Sequence, residues 1–196
     1  NFLSFTEKYF QEVKSILEKI DSNIIEALVK EIVKLRDRKG RLFVIGVGGS
    51  AGNASHLVND VRKLCGIEAY APTDNISELT ARTNDEGWTT VFSSWLATSN
   101  INSKDALFIL SVGGGNKEKN VSVNIIEAIK SAKEKKLKIF GIVGMSDGYT
   151  AKTANNIVIV PFENHERITP HSESFQSIIW HCLVSHPALQ INDTKW

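Results

Sequence analysis

The feature that most constrains the fold is an alternation of short apolar segments with helical segments after residue 40. Five apolar segments are rich in β-branched and aromatic residues: 42–47, 67–71, 106–112, 137–143 and 156–160. Helical patterning separates most of them, at 50–65, 86–97 and 117–135. Strands that are apolar on both faces and alternate with helices are typical of a parallel sheet covered by helices. We therefore predict an α/β protein with a single doubly wound parallel sheet flanked by helices over residues 41–196.

The first forty residues predict a helical N-terminal extension. Apolar residues recur at three- and four-residue spacing from Phe2 to Ile20, and a second helix that Asp21 caps repeats the pattern until Gly40. On pattern alone, this apolar stripe covers the chain's own sheet or docks on a second copy of the chain, and we expect a homo-oligomer. Thr169-Pro170 predicts the start of a last helix that ends near Ser185.

Composition excludes several classes of function. The 196 residues carry a formal charge of +1, so the chain has no broad basic surface for nucleic acid or anionic lipid. The two cysteines, Cys65 and Cys182, are far apart, which argues against a disulfide framework or a cysteine zinc site. The apolar segments are too short to span a membrane. We expect a soluble cytoplasmic protein without nucleic-acid or membrane partners.

Two glycine-rich turns are candidate anion sites. The first predicted strand leads into Gly46-Val-Gly48-Gly49-Ser50-Ala-Gly52, and the third into Ser111-Val-Gly113-Gly114-Gly115-Asn116-Lys117. Each turn precedes a helix, so backbone N–H groups, a hydroxyl and a helix dipole are available to a phosphate. The candidate phosphate- or substrate-binding residues are Gly48, Gly49, Ser50, Asn53, Ser111, Gly113, Gly114, Asn116 and Lys117. The alternative is that the glycines only form tight turns.

A dinucleotide site is a second alternative for the first turn. Ala51 fits the third small position, and Asp74 lies near the spacing of a ribose-binding acid. The hydroxyl of Ser50 on the turn and the second glycine turn favour a phosphate monoester instead. A Walker-type site is excluded, since no Gly-Lys-Ser/Thr follows either turn.

Polar residues on two helices form a candidate metal or catalytic constellation. His56 and Asp60 are four residues apart and share a helix face, while Glu173 and His181 are eight apart on the last helix. Two imidazoles and two carboxylates suit zinc or another borderline divalent cation. The alternatives are a local His–Asp hydrogen bond, a buried structural histidine at position 181, or pairs that meet across a subunit interface.

Taken together, these segments resemble the sugar isomerase (SIS) domain and, within it, the bacterial phosphoheptose isomerases. The resemblance covers nearly the whole chain: the helical N-terminus, GVGGSAGNASHLVNDV (46–61), the stretch from Ser77 to NDEGW (84–88), SVGGGN (111–116), MSDGYTAKTANNIVIVP (145–161) and ERITPHSESFQSIIWH (166–181). It implies the SIS fold and a tetramer. It also implies that Ser50 and the turn beginning at Ser111 bind the sugar phosphate, and that Asp85 contacts the sugar.

The resemblance further places His56, Asp60, Glu173 and His181 at the metal and catalytic positions, where the family has His, Glu, Gln and His. Asp60 is one methylene shorter than the family's Glu, and Glu173 adds a carboxylate, which favours a divalent cation such as zinc. The serine- and threonine-rich phosphate loop of the family is here mostly glycine. These departures leave the substrate open.

The implied activity is an aldose–ketose isomerisation through an enediol, in which sedoheptulose 7-phosphate becomes a heptose 7-phosphate. Such a reaction needs a base at carbon, an acid at oxygen, and positive charge near the enediolate. Asp60 or Glu173 is the expected base, and His181 the residue that moves the proton at oxygen. Alternatives are a non-catalytic SIS module that binds a sugar phosphate or a protein, and an isomerase of hexuloses or ketose amines.

Overall fold

The computed structural model describes residues 2–195 and contains one five-stranded parallel sheet. The strands are β1 (Leu42–Ile45), β2 (Ala69–Tyr70), β3 (Ala106–Ser111), β4 (Lys138–Val143) and β5 (Asn156–Ile159). Their order across the sheet is β2-β1-β3-β4-β5, and every neighbouring pair is parallel. The predicted doubly wound α/β architecture is confirmed. The order reverses direction between β1 and β3, and this switch point is where ligands bind in such sheets.

Eight α-helices accompany the sheet within residues 2–195. They are α1 (Phe5–Lys19), α2 (Ser22–Asp37), α3 (Gly49–Cys65), α4 (Ile76–Glu86), α5 (Val91–Thr98), α6 (Val123–Glu134), α7 (Tyr149–Thr153) and α8 (Ile168–Ser185). The core is divided by the sheet. On one face α2, α3 and α8 bury side chains against Val44, and on the other α5 and α6 pack on Phe43 and Ile45. The strand side chains alternate between these two apolar layers, which explains why the strands are apolar on both faces.

The ends of the N-terminal and last helices differ slightly from the sequence expectation. Asp21 caps α2 as predicted, but α2 ends at Asp37 because Lys39 adopts a left-handed φ of 56° before Gly40. The last helix begins at Ile168, so Thr169 is not its cap. Pro170 is the third helical residue, where the missing N–H has no intrahelical partner to lose. The helix ends at Ser185, as predicted.

Two predicted helical stretches are interrupted. Residues 86–97 do not form one helix, because Gly87 at φ 91° ends α4, and α5 begins only at Val91. In the stretch 117–135, the helix α6 begins at Val123, and a loop precedes it. The second strand is limited to two residues of the predicted 67–71.

The N-terminal extension packs only partly on the sheet domain. In α1 only Ile16 is buried, while Phe5, Phe10 and Leu17 are exposed by more than half. Asn1, in the predicted N-terminal extension, and Trp196, in the predicted sheet domain, lie outside the described residues. No helix within 2–195 has the length and apolar character needed to cross a lipid bilayer.

Candidate functional site

A cleft of about 560 Å³ opens where the carboxyl ends of β1 and β3 meet. The turn after β1 contributes Gly48, Gly49 and Ser50, and the turn after β3 contributes Ser111 and Gly113. The two glycine turns therefore lie together at the switch point of the sheet, and their role as an anion site stays a prediction. The cleft is also lined by Val47, Val112, Asn116, Lys119, Val121, Ser122, Met145, Asp147, Gly148, His165, Ile168, Thr169 and Glu173.

Glu173 from α8 reaches into this cleft above Gly49. A Cβ atom at position 49 would lie 1.4 Å from the Glu173 Oε2 atom, so the carboxylate occupies the space that a side chain would need. The Glu173 carboxylate accepts no hydrogen bond from any side chain or backbone group of residues 2–195, and it faces the cleft.

Hydrogen bonds between α3 and α8 fix the first turn. The fully buried Gln176 faces Ser50 at 3.2 Å through its side-chain amide, and the Asn53 Nδ2 atom donates to Gln176 Oε1 at 2.8 Å. Asn53 Nδ2 also lies 3.0 Å from the backbone carbonyl oxygen of Glu173. Asn53 therefore holds α8 against α3 and does not line the cleft, although the sequence analysis named it as a substrate contact.

A second constellation lies further along the same two helices. The Asp60 Oδ2 atom is 3.5 Å from His56 Nε2 and 3.4 Å from His181 Nε2. Trp180 Nε1 donates to the same oxygen at 3.2 Å, and Asn59 Nδ2 donates to Oδ1 at 3.1 Å. Both carboxylate oxygens are thus oriented, while the two imidazoles are about half exposed.

This trio fits a divalent cation by its donor chemistry. One ligand atom from each of His56, Asp60 and His181 lies within 4.8 Å of the others. Two imidazole nitrogens and one carboxylate oxygen form a set that zinc accepts, with a further position left for water or substrate. Glu173, the fourth residue of the predicted metal set, is not part of this group of three, because its side chain turns toward Gly49 instead.

Three other predicted site residues lie outside the cleft. Lys117 lines a neighbouring pocket, and Asp85 is exposed at the end of α4, where it accepts a hydrogen bond from Asn84. Gly114 is buried beneath Thr150, and its backbone N–H bonds to the Ser111 hydroxyl oxygen. None of these positions could be placed from spacing alone, since each depends on how a loop or helix end turns.

The structure also adds residues that the sequence analysis missed. Lys119 and Ser122 line the cleft, and Gln176 orders the first turn. The only sequence signal for Lys119 and Ser122 was their proximity to the second glycine turn. Gln176 lies one turn after Glu173 on α8, a spacing that places both on the same helix face.

An ion-pair network joins α1 to the beginning of α8. Arg167 donates to the two Glu12 carboxylate oxygens at 2.8 and 2.6 Å, and His171 Nε2 lies 2.8 Å from Glu12 Oε2. Hydrogen bonds from Arg167 and then His171 lower the pKa of Glu12 from 4.5 to about 2. His171 is buried, and its ring centroid lies 4.5 Å from that of Tyr9 with the two rings tilted by 43°. This contact fixes the helix turn that precedes Glu173.

The fold and the position of the cleft match those of a known family of α/β domains. The SIS domain family model matches residues 8–144, so the chain belongs to the SIS domain family. A probable phosphoheptose isomerase of Thermoplasma volcanium is 30% identical over 79% of this chain and 78% of its own length. Phosphoheptose isomerase 1 of Campylobacter jejuni is 29% identical over 99% of this chain and 100% of its own length. The solved phosphoheptose isomerase of Neisseria gonorrhoeae superposes with a TM-score of 0.75 at 26% identity, covering 90% of this chain and 93% of that one.

Proposed function

We propose that this chain isomerises a sugar phosphate, converting sedoheptulose 7-phosphate into an aldoheptose 7-phosphate through an enediol. The observation that carries the proposal is the cleft itself, because two glycine turns and a free carboxylate face one space. The turns supply donors for the phosphate, and Glu173 supplies a base for a carbon-bound proton. The names of the similar phosphoheptose isomerases support the same reaction.

In the proposed reaction, Glu173 takes the proton from C1 of the ketose and returns it to C2. The hydroxyl proton moves from O1 to O2, so the atoms balance and no redox partner is needed. His56, Asp60 and His181 do not line the cleft itself, but they would hold a divalent metal such as zinc, whose chemistry is to stabilise negative charge on the oxygens of a bound substrate. Asp60 suits this role because both of its oxygens are already oriented by Trp180 and Asn59.

Asp60 is a second candidate for the base, because of its distance from His181. Asp60 Oδ2 lies 3.4 Å from His181 Nε2, so these two could act as base and acid directly, as the family resemblance implies. The same residues cannot bind a metal and carry protons freely. Activity that survives a chelator and is lost in Asp60→Asn supports the direct pair. Activity that is lost in chelator, restored by zinc and lost in Glu173→Gln supports the metal trio with Glu173 as base.

The test of the function compares phosphorylated and unphosphorylated ketoses. The purified chain is incubated with sedoheptulose 7-phosphate, with sedoheptulose and with shorter ketose phosphates, and products are followed by NMR. We expect turnover of the heptulose phosphate above all others and little turnover of the free sugar. If no ketose phosphate is converted, with or without added zinc, the chain is a binding module rather than an enzyme.

We also propose that the chain works as a homo-oligomer, with a tetramer as the expected state. The exposed apolar side chains of α1 support this proposal, since Phe5, Phe10 and Leu17 are 67%, 64% and 57% exposed. Apolar patches of this kind are commonly covered by another subunit.

A further inference from the structure

The loop between β3 and α6 has a fixed shape. Asn116 and Val121 exchange two backbone hydrogen bonds of 2.8 and 3.0 Å, and the Asn116 Oδ1 atom accepts from the Lys119 N–H at 2.9 Å. Asn120 and Ser122 both adopt left-handed φ angles, 52° and 50°, which residues other than glycine rarely take. These bonds and angles hold the backbone of the loop in one defined conformation.

The two lysines of the loop differ in whether they reach the cleft. Lys119 lines the cleft together with Ser111 and Glu173, and it also borders the neighbouring pocket. Lys117 and Lys152 line that neighbouring pocket and not the cleft. Among the described residues that line the cleft, Lys119 is the single lysine or arginine. It forms no ion pair within residues 2–195, although Asp147 lines both spaces.

The hydroxyl groups near the triple glycine are partly committed to the loop. The Ser111 oxygen accepts from the Gly114 N–H at 2.9 Å, and Thr150 donates its hydroxyl to the Gly114 carbonyl at 2.7 Å. Ser122 precedes α6 without forming a capping hydrogen bond, and it lines the cleft. Lys119 and Ser122 are therefore two side chains of this loop that line the cleft and keep hydrogen-bond donors available for an anion.

We propose that Lys119, assisted by the Ser122 hydroxyl, is the residue that makes this cleft selective for phosphorylated sugars. A phosphate monoester carries about −1.5 to −2 charges at pH 7, and an ammonium group binds it through charge-assisted hydrogen bonds. The ammonium group of Lys119 thus binds the phosphate in place of serine and threonine hydroxyl groups on this loop. The inference rests on the proposed function to the extent that the ligand is a sugar phosphate.

The experiment compares Lys119→Met and Lys119→Arg with Lys117→Met and, as a matched control, Lys152→Met. We expect Lys119→Met to raise KM for sedoheptulose 7-phosphate roughly tenfold to hundredfold, with kcat changed less than about threefold. Lys119→Arg retains part of the affinity because it keeps the charge. Raising the salt concentration raises KM of the unaltered chain more than KM of Lys119→Met. Lys152→Met leaves both constants unchanged.

Binding of inorganic phosphate, measured by calorimetry on the same variants, separates this proposal from the proposed function. If the chain has no isomerase activity but only Lys119→Met loses phosphate affinity, the function fails and the role of Lys119 stands. If Lys119→Met binds phosphate and substrate as the unaltered chain does, the proposal is overturned. It is also overturned if Lys117→Met causes the larger loss. Circular dichroism checks that each variant is folded.

Discussion

At the scale of single residues, Glu173 carries the largest expected effect on turnover. Replacing it by Gln keeps the shape of the side chain but removes the base, so we expect kcat to fall by about 10² to 10⁴. Glu166→Gln is the matched control, because Glu166 is a nearby acid whose side chain is 83% exposed. Steady-state kinetics with sedoheptulose 7-phosphate measures the change. Equal kcat values for the two variants would remove Glu173 from the chemistry.

A substitution at Gly49 tests whether turnover depends on the position of the Glu173 carboxylate. A methyl group at residue 49 would collide with the Glu173 carboxylate, whereas a methyl group at Gly52 in the same helix meets nothing within 4 Å. We expect Gly49→Ala to lower kcat at least tenfold by displacing Glu173. Gly52→Ala should keep kcat and stabilise α3 by about 0.5–1 kcal/mol, since alanine is the better helix former. The pair is compared by kinetics and by chemical denaturation, and identical kinetics would contradict the assignment.

At the scale of elements, the ion-pair network between α1 and α8 predicts a pH dependence of stability. Since the folded pKa of Glu12, about 2, is below its ordinary value of 4.5, ionised Glu12 stabilises the fold fully above pH 4.5. That contribution is lost as the pH falls from 4.5 through about 2.

We expect Glu12→Gln to lower the free energy of unfolding by about 1 to 3 kcal/mol at pH 6 and by much less near pH 2. Glu18→Gln, a change of an exposed acid on the same helix, should have no such effect. Urea denaturation of both variants across this pH range measures the free energy of unfolding. A loss that is constant with pH would show that Glu12 contributes through packing rather than charge.

The elements that could be predicted from the sequence are those in which the spacing of apolar residues shows which side chains are buried. The segments of β1, β3 and β4 are apolar because both faces of the sheet are covered. This pattern does not depend on the conformation of the connecting loops. Helix α4 was missed because none of its residues is buried, so it leaves no apolar stripe. The start of α6 was missed because left-handed Asn120 and Ser122 carry no signal that distinguishes them from helical residues.

In the candidate site, too, some features follow from the spacing of residues in the sequence, and others depend on how helices and loops pack. The pairing of His56 with Asp60 follows from a four-residue spacing on one helix, and the structure places them together. The separation of Glu173 from this group follows from the eight-residue spacing of Glu173 and His181, which puts them about 12 Å apart along α8. That the Glu173 carboxylate lies against Gly49 could not be predicted, because it depends on how α8 packs on α3. Lys119 was missed because the sequence does not show that the loop closed by Asn116 and Val121 lies beside the cleft.

At the scale of the whole molecule, the exposed face of α1 predicts an assembly of chains. Phe10→Asp places a charge in the proposed contact, so we expect it to shift the molecule toward a single 21.7 kDa chain. Ile76→Asp is the control, because Ile76 is similarly exposed but lies on α4. Light scattering coupled to size-exclusion chromatography gives the masses. An unaltered chain that is already monomeric would exclude the proposed oligomer.

We have proposed that the cleft between the two glycine turns isomerises a sugar phosphate through an enediol. This proposal is tested most directly by NMR of sedoheptulose 7-phosphate incubated with the chain in D₂O. If the proton that Glu173 holds between C1 and C2 exchanges with D₂O before its return, the aldoheptose 7-phosphate carries deuterium at C2. We expect this deuterated product with the unaltered chain and almost none with Glu173→Gln. Neither product nor deuterium incorporation, in the presence of added zinc, would contradict it.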